Sequence, residues 1–333
     1  MRVALIGLGY WGSNLVRNLL SLQSCGDLVL FDTESAKVNK AIRQSPRAFA
    51  ASSFDAILRD PSIRAVVLAT PVTTHYDLAA RAIEAGKNVL VEKPLTISHQ
   101  SAVALVARAR ELQQVVMAGH TFLYSPPVRL VRQLISAGEI GEPLYAQSTR
   151  MNLGVHQADV SVLWDLAPHD LSILLDWLDE YPIRVSAIGR ATEGTKRADV
   201  AFMGLEFSSG CIASLNLSWL APTKIRKTTI VGSRRMVVYE DTNSEEPVKI
   251  YDKGVEVRDP QDFGQHQLTY RTGDVRSPHV EVIEPLQAEL QDFLERVAEG
   301  GGPDRREDTA VEIVYIIEAA EESLRSGGVP VAL

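Results

Sequence analysis

The sequence predicts an α/β protein. Its N-terminal part reads as a parallel sheet covered by helices on both faces, and the remainder as mainly antiparallel strands with helices alongside. Two observations carry this. In the first 120 or so residues, short unbroken apolar runs alternate with stretches of helical period, the pattern of strands buried on both faces. Beyond Gly119 the strand-like runs follow one another through short turns, and such strands pair antiparallel because parallel pairing needs a long crossover.

The elements follow in order. Residues 3–6 form a buried strand, and Leu15, Val16, Leu19 and Leu20 then recur at helical spacing. Residues 28–31 and 65–69 are further strands, and a helix over 76–85 stops at Gly86, a natural C-cap. Residues 89–91 form a strand, 98–113 a helix, and 115–118 close the series. Ser125-Pro126-Pro127 starts a helix that ends near Gly138, with Ser as N-cap and Pro in the first turn. Strands are expected over 144–151, 183–191, 200–207, 211–219, 225–231 and 236–239, with a hairpin turn at Ser208-Ser209-Gly210. Helices are expected over 168–178, 285–297 and 308–324, and the weakly periodic stretch 259–277 reads as a long loop or arm. The change of pattern divides the chain into domains 1–121 and 122–333.

Composition narrows the function. The chain has 333 residues, with 34 Lys+Arg against 42 Asp+Glu and a net charge of −8. That balance argues against a nucleic-acid partner, which needs a basic face. Cys25 and Cys211 cannot build a disulfide framework or a zinc knuckle, and they read as buried thiols of a reducing compartment. No apolar run reaches the ~18–20 residues that span a bilayer, and the N-terminus lacks signal-peptide form. No metal and no membrane partner are expected, and the expected location is the cytoplasm.

Gly7-Leu8-Gly9-Tyr10-Trp11-Gly12 is a G-x-G-x-x-G turn between the first strand and the first helix, and Asp32 ends the second strand twenty residues past Gly12. Gly7 permits the tight turn, Gly9 lets the backbone approach a pyrophosphate, and Gly12 lets the helix pack on the strand. The helix N-terminus faces the phosphates. Asp32 accepts from the ribose hydroxyls and repels a 2′-phosphate, which favours NAD over NADP. Two more loops sit at carboxyl ends of strands, where ligands bind in such sheets: Thr70-Pro71, with His75 beginning the next helix, and Glu92-Lys93-Pro94. His75 reads equally as a surface histidine or a ligand contact. Lys93, beside a nicotinamide, can donate to a substrate oxygen.

Trp164-Asp165-Leu166-Ala167-Pro168-His169-Asp170 is dense in chemistry. Asp165 and His169 share a helix face. Pro168 is expected in the first turn, which puts His169 near a helix N-terminus, where the dipole disfavours its protonated form. A neutral histidine can take an alcohol proton, but Asp165 as a cap and His169 as a buried polar residue fit these residues equally well.

Together, Gly7–Gly12, Ala69-Thr70-Pro71, Glu92-Lys93-Pro94 and Asp165-x-x-x-His169 resemble the Gfo/Idh/MocA family, over nearly the whole chain. The resemblance implies a Rossmann domain followed by an α/β domain with a large open, mostly antiparallel sheet, one face of which forms subunit contacts in a homodimer or homotetramer. It implies NAD(P)-dependent oxidation or reduction of sugar, inositol or related hydroxyl carbons. By the same resemblance Lys93 matches the catalytic lysine, His169 the residue that acts as base or orients the hydroxyl, and Asp165 the acid that positions substrate. Many members carry a Gly-Gly pair before the Asp; here the stretch is Asp159-Val160-Ser161-Val162-Leu163-Trp164. With Asn152-Leu153-Gly154 and Ala167-Pro168, this looks like the branch containing nucleotide-sugar 3-dehydrogenases and ketoreductases.

The expected reaction is therefore hydride transfer at a sugar carbon, C3 of a nucleotide-linked or phosphorylated sugar. Other readings are an inositol or free-aldose dehydrogenase, a glycoside hydrolase that uses NAD transiently, and a non-catalytic NAD-binding sensor. His120, Tyr124, Arg150, Asn152 and Gln157 are the further substrate candidates by position. Lys224 and Arg226 share a strand face that reads first as solvated.

Overall fold

The computed structural model describes residues 1–154, 160–192, 197–257 and 268–333. They form two compact units, Met1–Tyr124 with Ile283–Glu318, and Ser125–Val282 with Ala319–Leu333.

In the first unit the chain runs β1 (Arg2–Ile6), α1 (Tyr10–Ser21), β2 (Leu28–Phe31), α2 (Ser35–Ile42), β3 (Ala48–Ala50), α3 (Phe54–Arg59), β4 (Ile63–Leu68), α4 (His75–Glu84), β5 (Asn88–Glu92), α5 (His99–Glu111) and β6 (Val116–Gly119). The six strands pair in parallel in the order β3-β2-β1-β4-β5-β6. The order reverses direction beside β1, so the turns after β1 and β4 open at the crevice where such sheets bind ligands. Unbroken apolar strands are what a sheet covered on both faces requires, and Val3, Ala4, Leu5, Ala65, Val66 and Val67 are fully buried.

The second unit contains α6 (Pro126–Ser136), β7 (Pro143–Met151), α7 (Val162–Leu178), β8 (Pro182–Arg190), β9 (Val200–Phe207), β10 (Ile212–Ser218), β11 (Ile225–Gly232), β12 (Met236–Glu240), β13 (Val248–Val257) and β14 (Leu268–Arg276). The sheet order is β14-β13-β12-β11-β7-β10-β9-β8, closed by a short last strand, β15 (Val331–Ala332). Pairing is antiparallel except between β7 and β10, which run parallel. Along β9 and β10 alternate residues are buried, and their opposite-facing neighbours include the exposed Phe202 and Ile212. The β9–β10 turn falls at the expected Ser208-Ser209-Gly210, with Gly210 at φ +87°.

Three expectations change. First, α8 (Pro285–Glu299) and most of α9 (Arg305–Arg325) belong to the first unit, not to a 122–333 domain. Leu286, Leu290, Phe293, Leu294 and Val297 of α8 join one core with Leu15, Leu19, Leu28 and Leu30. Second, the stretch expected as an arm contains β14, an edge strand of the sheet. Thr272 to Arg276 are exposed, so no alternation of apolar and polar residues marked it. Third, α7 begins at Val162 with Ser161 as N-cap, so Pro168 lies inside the helix, about two turns in, rather than in its first turn.

Phe293 is fully buried in the shared core. Phe293→Ala is expected to destabilise the first unit by about 3–5 kcal/mol, read as a lower urea midpoint. An unchanged midpoint would place α8 outside that core.

Candidate active site

The turn after β1 leaves no room for side chains at two of its glycines. Gly7 has φ +93°, and a Cβ there would meet the Ala69 carbonyl oxygen at 2.3 Å. A Cβ on Gly12 would meet the Gly7 carbonyl oxygen at 2.2 Å. At Gly9, by contrast, a Cβ would touch nothing within 4 Å. Gly9 is also the N-cap of α1 and provides no side-chain cap, and the first turn of α1 holds no acid. Its amides and partial positive charge are thus available to an anion. These features fit a dinucleotide pyrophosphate: two glycines shape the loop and the third keeps an approach open.

Asp32 secures the loop from the next strand. Its carboxylate accepts from the Leu8 amide at 2.7 Å and the Glu34 amide at 2.8 Å. Burial pushes its pKa up, but these two amides and Lys37 more than offset that, so the group sits below its ordinary value. A carboxylate has about four lone-pair positions, so acceptor capacity remains for ribose hydroxyls.

Two further loops flank the same edge of the sheet. His75 is buried, with Nδ1 2.9 Å from the Pro94 carbonyl and Nε2 2.9 Å from the Thr70 carbonyl. Burial, aided by the Lys93 charge, lowers its pKa against the pull of both carbonyls, and the neutral ring donates to one of them. It is therefore a tie between the Thr70-Pro71 and Lys93-Pro94 loops, buried rather than at the surface. The Lys93–Pro94 peptide is cis. Tyr10 is exposed, and the Trp11 indole donates to the Glu92 carboxyl. Burial pushes Glu92 up to about 7, opposed by Lys93 and the Trp11 bond. His120 is buried and lowered to about 4 by burial and the Lys93 charge, so it is neutral at pH 7. Lys93, half-buried, is thus the cation to which Glu92, His75 and His120 all respond.

The second unit presents Asp165 and His169 half-buried on one face of α7. Asp165 accepts from the Trp219 indole at 3.0 Å, and its amide donates to the Ser161 carbonyl. With α7 starting at Val162, His169 is far from the helix N-terminus, and the dipole effect expected there does not reach it.

Two substrate candidates have other partners. Arg150 is buried and grips Asp170 through two bonds of 3.0 Å, while Ser148 donates to the same carboxylate at 2.9 Å. Burial opposes its charge, but Asp170 overrides it. Its guanidinium anchors β7 to α7. Tyr124 is buried, donating to Asp292 and accepting from Arg306, each at 2.7 Å. Asn152 is half-buried, with its amide on the Ser218 carbonyl, and Gln157 lies outside the described residues. Arg226 pairs with Asp241 at 2.9 Å. The sequence reading passed over three residues: Trp219 beside Asp165 in the second unit, and Thr121 and Glu289 in the first. Thr121 donates to Glu289 at 2.7 Å. Among the described residues no group of three or more His, Cys, Asp or Glu could hold a metal, and no helix is long and apolar enough to cross a membrane.

A glycine turn on a 3-2-1-4-5-6 sheet, an acid just past β2 and a lysine just past β5 belong to an NAD-dependent oxidoreductase acting on CH–OH groups. Residues 1–120 match the family model described as "Oxidoreductase family, NAD-binding Rossmann fold", and residues 128–238 match "GFO/IDH/MocA C-terminal domain". The chain belongs to the Gfo/Idh/MocA family. It is 29% identical over 301 residues to a UDP-N-acetylglucosamine 3-dehydrogenase of Acidithiobacillus ferrooxidans, covering 90% of this chain and 89% of that one. It is 28% identical to the scyllo-inositol 2-dehydrogenase (NAD(+)) of Bacillus subtilis strain 168, covering 67% of this chain and 68% of that one. Among solved structures it is similar to GenD2 from gentamicin A biosynthesis in complex with NAD, at 25% identity and a TM-score of 0.83, over 100% of this chain and 96% of that one.

The three glycines make separable predictions. Gly9→Ala is expected to fold with an unchanged Tm and to bind NAD more weakly, because its Cβ points into open space that the pyrophosphate needs. Gly7→Ala is expected to lower the Tm itself, because its Cβ meets backbone and the φ is left-handed. Thermal unfolding with and without NAD checks both.

Proposed function

We propose that the protein reversibly transfers hydride between NAD and C3 of a nucleotide-linked or phosphorylated sugar. The observation that carries this reading is the extent of one likeness: the 3-dehydrogenase aligns along nine-tenths of both chains, the inositol dehydrogenase along two-thirds. The nicotinamide supplies the hydride acceptor or donor when bound. Lys93 donates to the substrate oxygen and stabilises alkoxide character as the C–H bond breaks. His169 takes the hydroxyl proton or orients the hydroxyl, and Asp165, itself held by Trp219, keeps the substrate in register. Arg150 is engaged by Asp170 and is not assigned as the phosphate counter-charge.

An inositol substrate is the second reading, favoured by the Bacillus subtilis relative. A thermal-shift screen with NAD present separates the two. UDP-, GDP- and dTDP-sugars are expected to raise the Tm, and stabilisation by inositols alone overturns the nucleotide-sugar assignment.

Lys93→Ala is expected to retain NAD binding while kcat/KM falls by roughly 10²–10³. His169→Asn is expected to remove one limb of the kcat/KM pH profile, since that limb reports an essential acid or base of the free enzyme. Near wild-type turnover in the first variant, or an unaltered profile in the second, removes that residue from the chemistry.

A further inference from the structure

Behind the Glu92-Lys93-Pro94 loop lies a pair of buried acids that the proposed chemistry does not use. Glu92 ends β5 and packs against Gly119 at the end of β6, where a Cβ would come within 3.1 Å of its carboxyl oxygen. Two residues further on, Thr121 donates to Oε2 of Glu289, which reaches in from α8. Glu289 is 0% exposed, and its Oε1 has no hydrogen-bond partner among the described residues. The two carboxyls interact electrostatically.

Two buried carboxyls that repel one another do not both ionise without cations to balance them. The charged and titratable groups around the pair are Lys93 beside Glu92, and Asp292, Tyr124 and Arg306 on the Glu289 side, with His120 near Lys93. Arg306 is held by Asp292, Asp304 and Tyr124. His120, neutral and buried, adds no charge. The donors are unequally shared. Glu92 receives the Trp11 indole, the Lys93 amide and the Lys93 charge, whereas Glu289 receives one hydroxyl and faces two acids.

We propose that, above neutral pH, Glu92 and Glu289 form a buried acid pair holding a single negative charge, with the charge on Glu92 and the proton on Glu289, and that Glu289 is thereby a positioning residue for the Glu92-Lys93-Pro94 loop. Burial, reinforced by the Glu92 charge, holds Glu289 well above the carboxylate range, in keeping with this division. A neutral Glu289 leaves Glu92 as the one charged member of the pair beside Lys93. The inference concerns the first unit alone and stands whatever the substrate is.

The test needs no substrate. Trp11 reports on Glu92 through its indole bond, and subtracting the signal of Trp11→Phe isolates its fluorescence from that of the other tryptophans. The midpoint of this signal with pH is expected to stay within about 0.3 unit in Glu289→Gln, because glutamine replaces a neutral group. A fall of about one unit or more means that Glu289 carried charge, and overturns the proposal. In the infrared, a protonated-carboxyl C=O band at pH 8 is expected in the wild type and absent from Glu289→Gln; persistence of the band, or its absence from both, also overturns it. Glu289→Leu deprives Thr121 of its acceptor and is expected to weaken NAD binding roughly tenfold, with Glu289→Gln restoring it. Equal NAD affinity in the leucine variant and the wild type overturns the positioning role. If the leucine variant does not fold, the glutamine measurements decide.

Discussion

The close approach of Gly7 to the Ala69 carbonyl sets the geometry from which the cofactor half of the site follows. It brings the turn after β1 against the end of β4 with only backbone between them. Gly12 repeats the device in the first turn of α1, against the Gly7 carbonyl. Because both contacts are filled by main chain, the helix starts close to the strand with its first amides facing outward. Asp32 fixes the loop from the other side through the Leu8 amide. His75 then ties the loop after β4 to the loop after β5. The position of Lys93 is therefore inherited from a chain of backbone contacts that begins at a glycine.

Much of this was legible because it is local. The glycine spacing, Asp32 at the end of β2 and the strand-end positions of Thr70 and Lys93 are all properties of short windows. Their physical roles depend on residue type and on adjacency to a strand. His75 was half legible: its place at a helix start was visible, but its two carbonyl partners come from loops nineteen and five residues away. Arg150 was half legible for the same reason. Its place at a strand end before a chemistry-rich helix was visible, but its partner Asp170 is twenty residues away.

The return of α8 to the first unit was not legible, because packing between residues some 270 apart leaves no mark in periodicity. A trace of it was present all the same. Leu286, Leu290, Phe293 and Val297 form the apolar stripe of α8, and Glu289 falls on that stripe. A carboxyl on the buried face of an amphipathic helix must be neutral, paired or bound to something, so it asks for a partner at once. The identity of that partner, Glu92, required the fold.

Helix α7 shows how one element separates an acid that supports structure from the acid assigned to substrate. Asp165 and Asp170 are five residues apart, which turns them about 140° from one another around the axis. Asp170 faces β7 and is consumed by Arg150 and Ser148, deep in the unit. Asp165 shares the half-buried face with His169, four residues on, and rests on the Trp219 indole. Pro168 lies between them in sequence, inside the helix, where it removes the amide that would have bonded the Trp164 carbonyl. The helix accepts that loss because Ala167, Pro168, Leu171 and Leu174 bury its other side. A buried ion pair thus holds α7 to the sheet without drawing on the residues assigned to substrate. Replacing Asp165 should disturb chemistry with the fold intact, whereas replacing Asp170 should leave Arg150 buried without its carboxylate, a loss that falls on stability first.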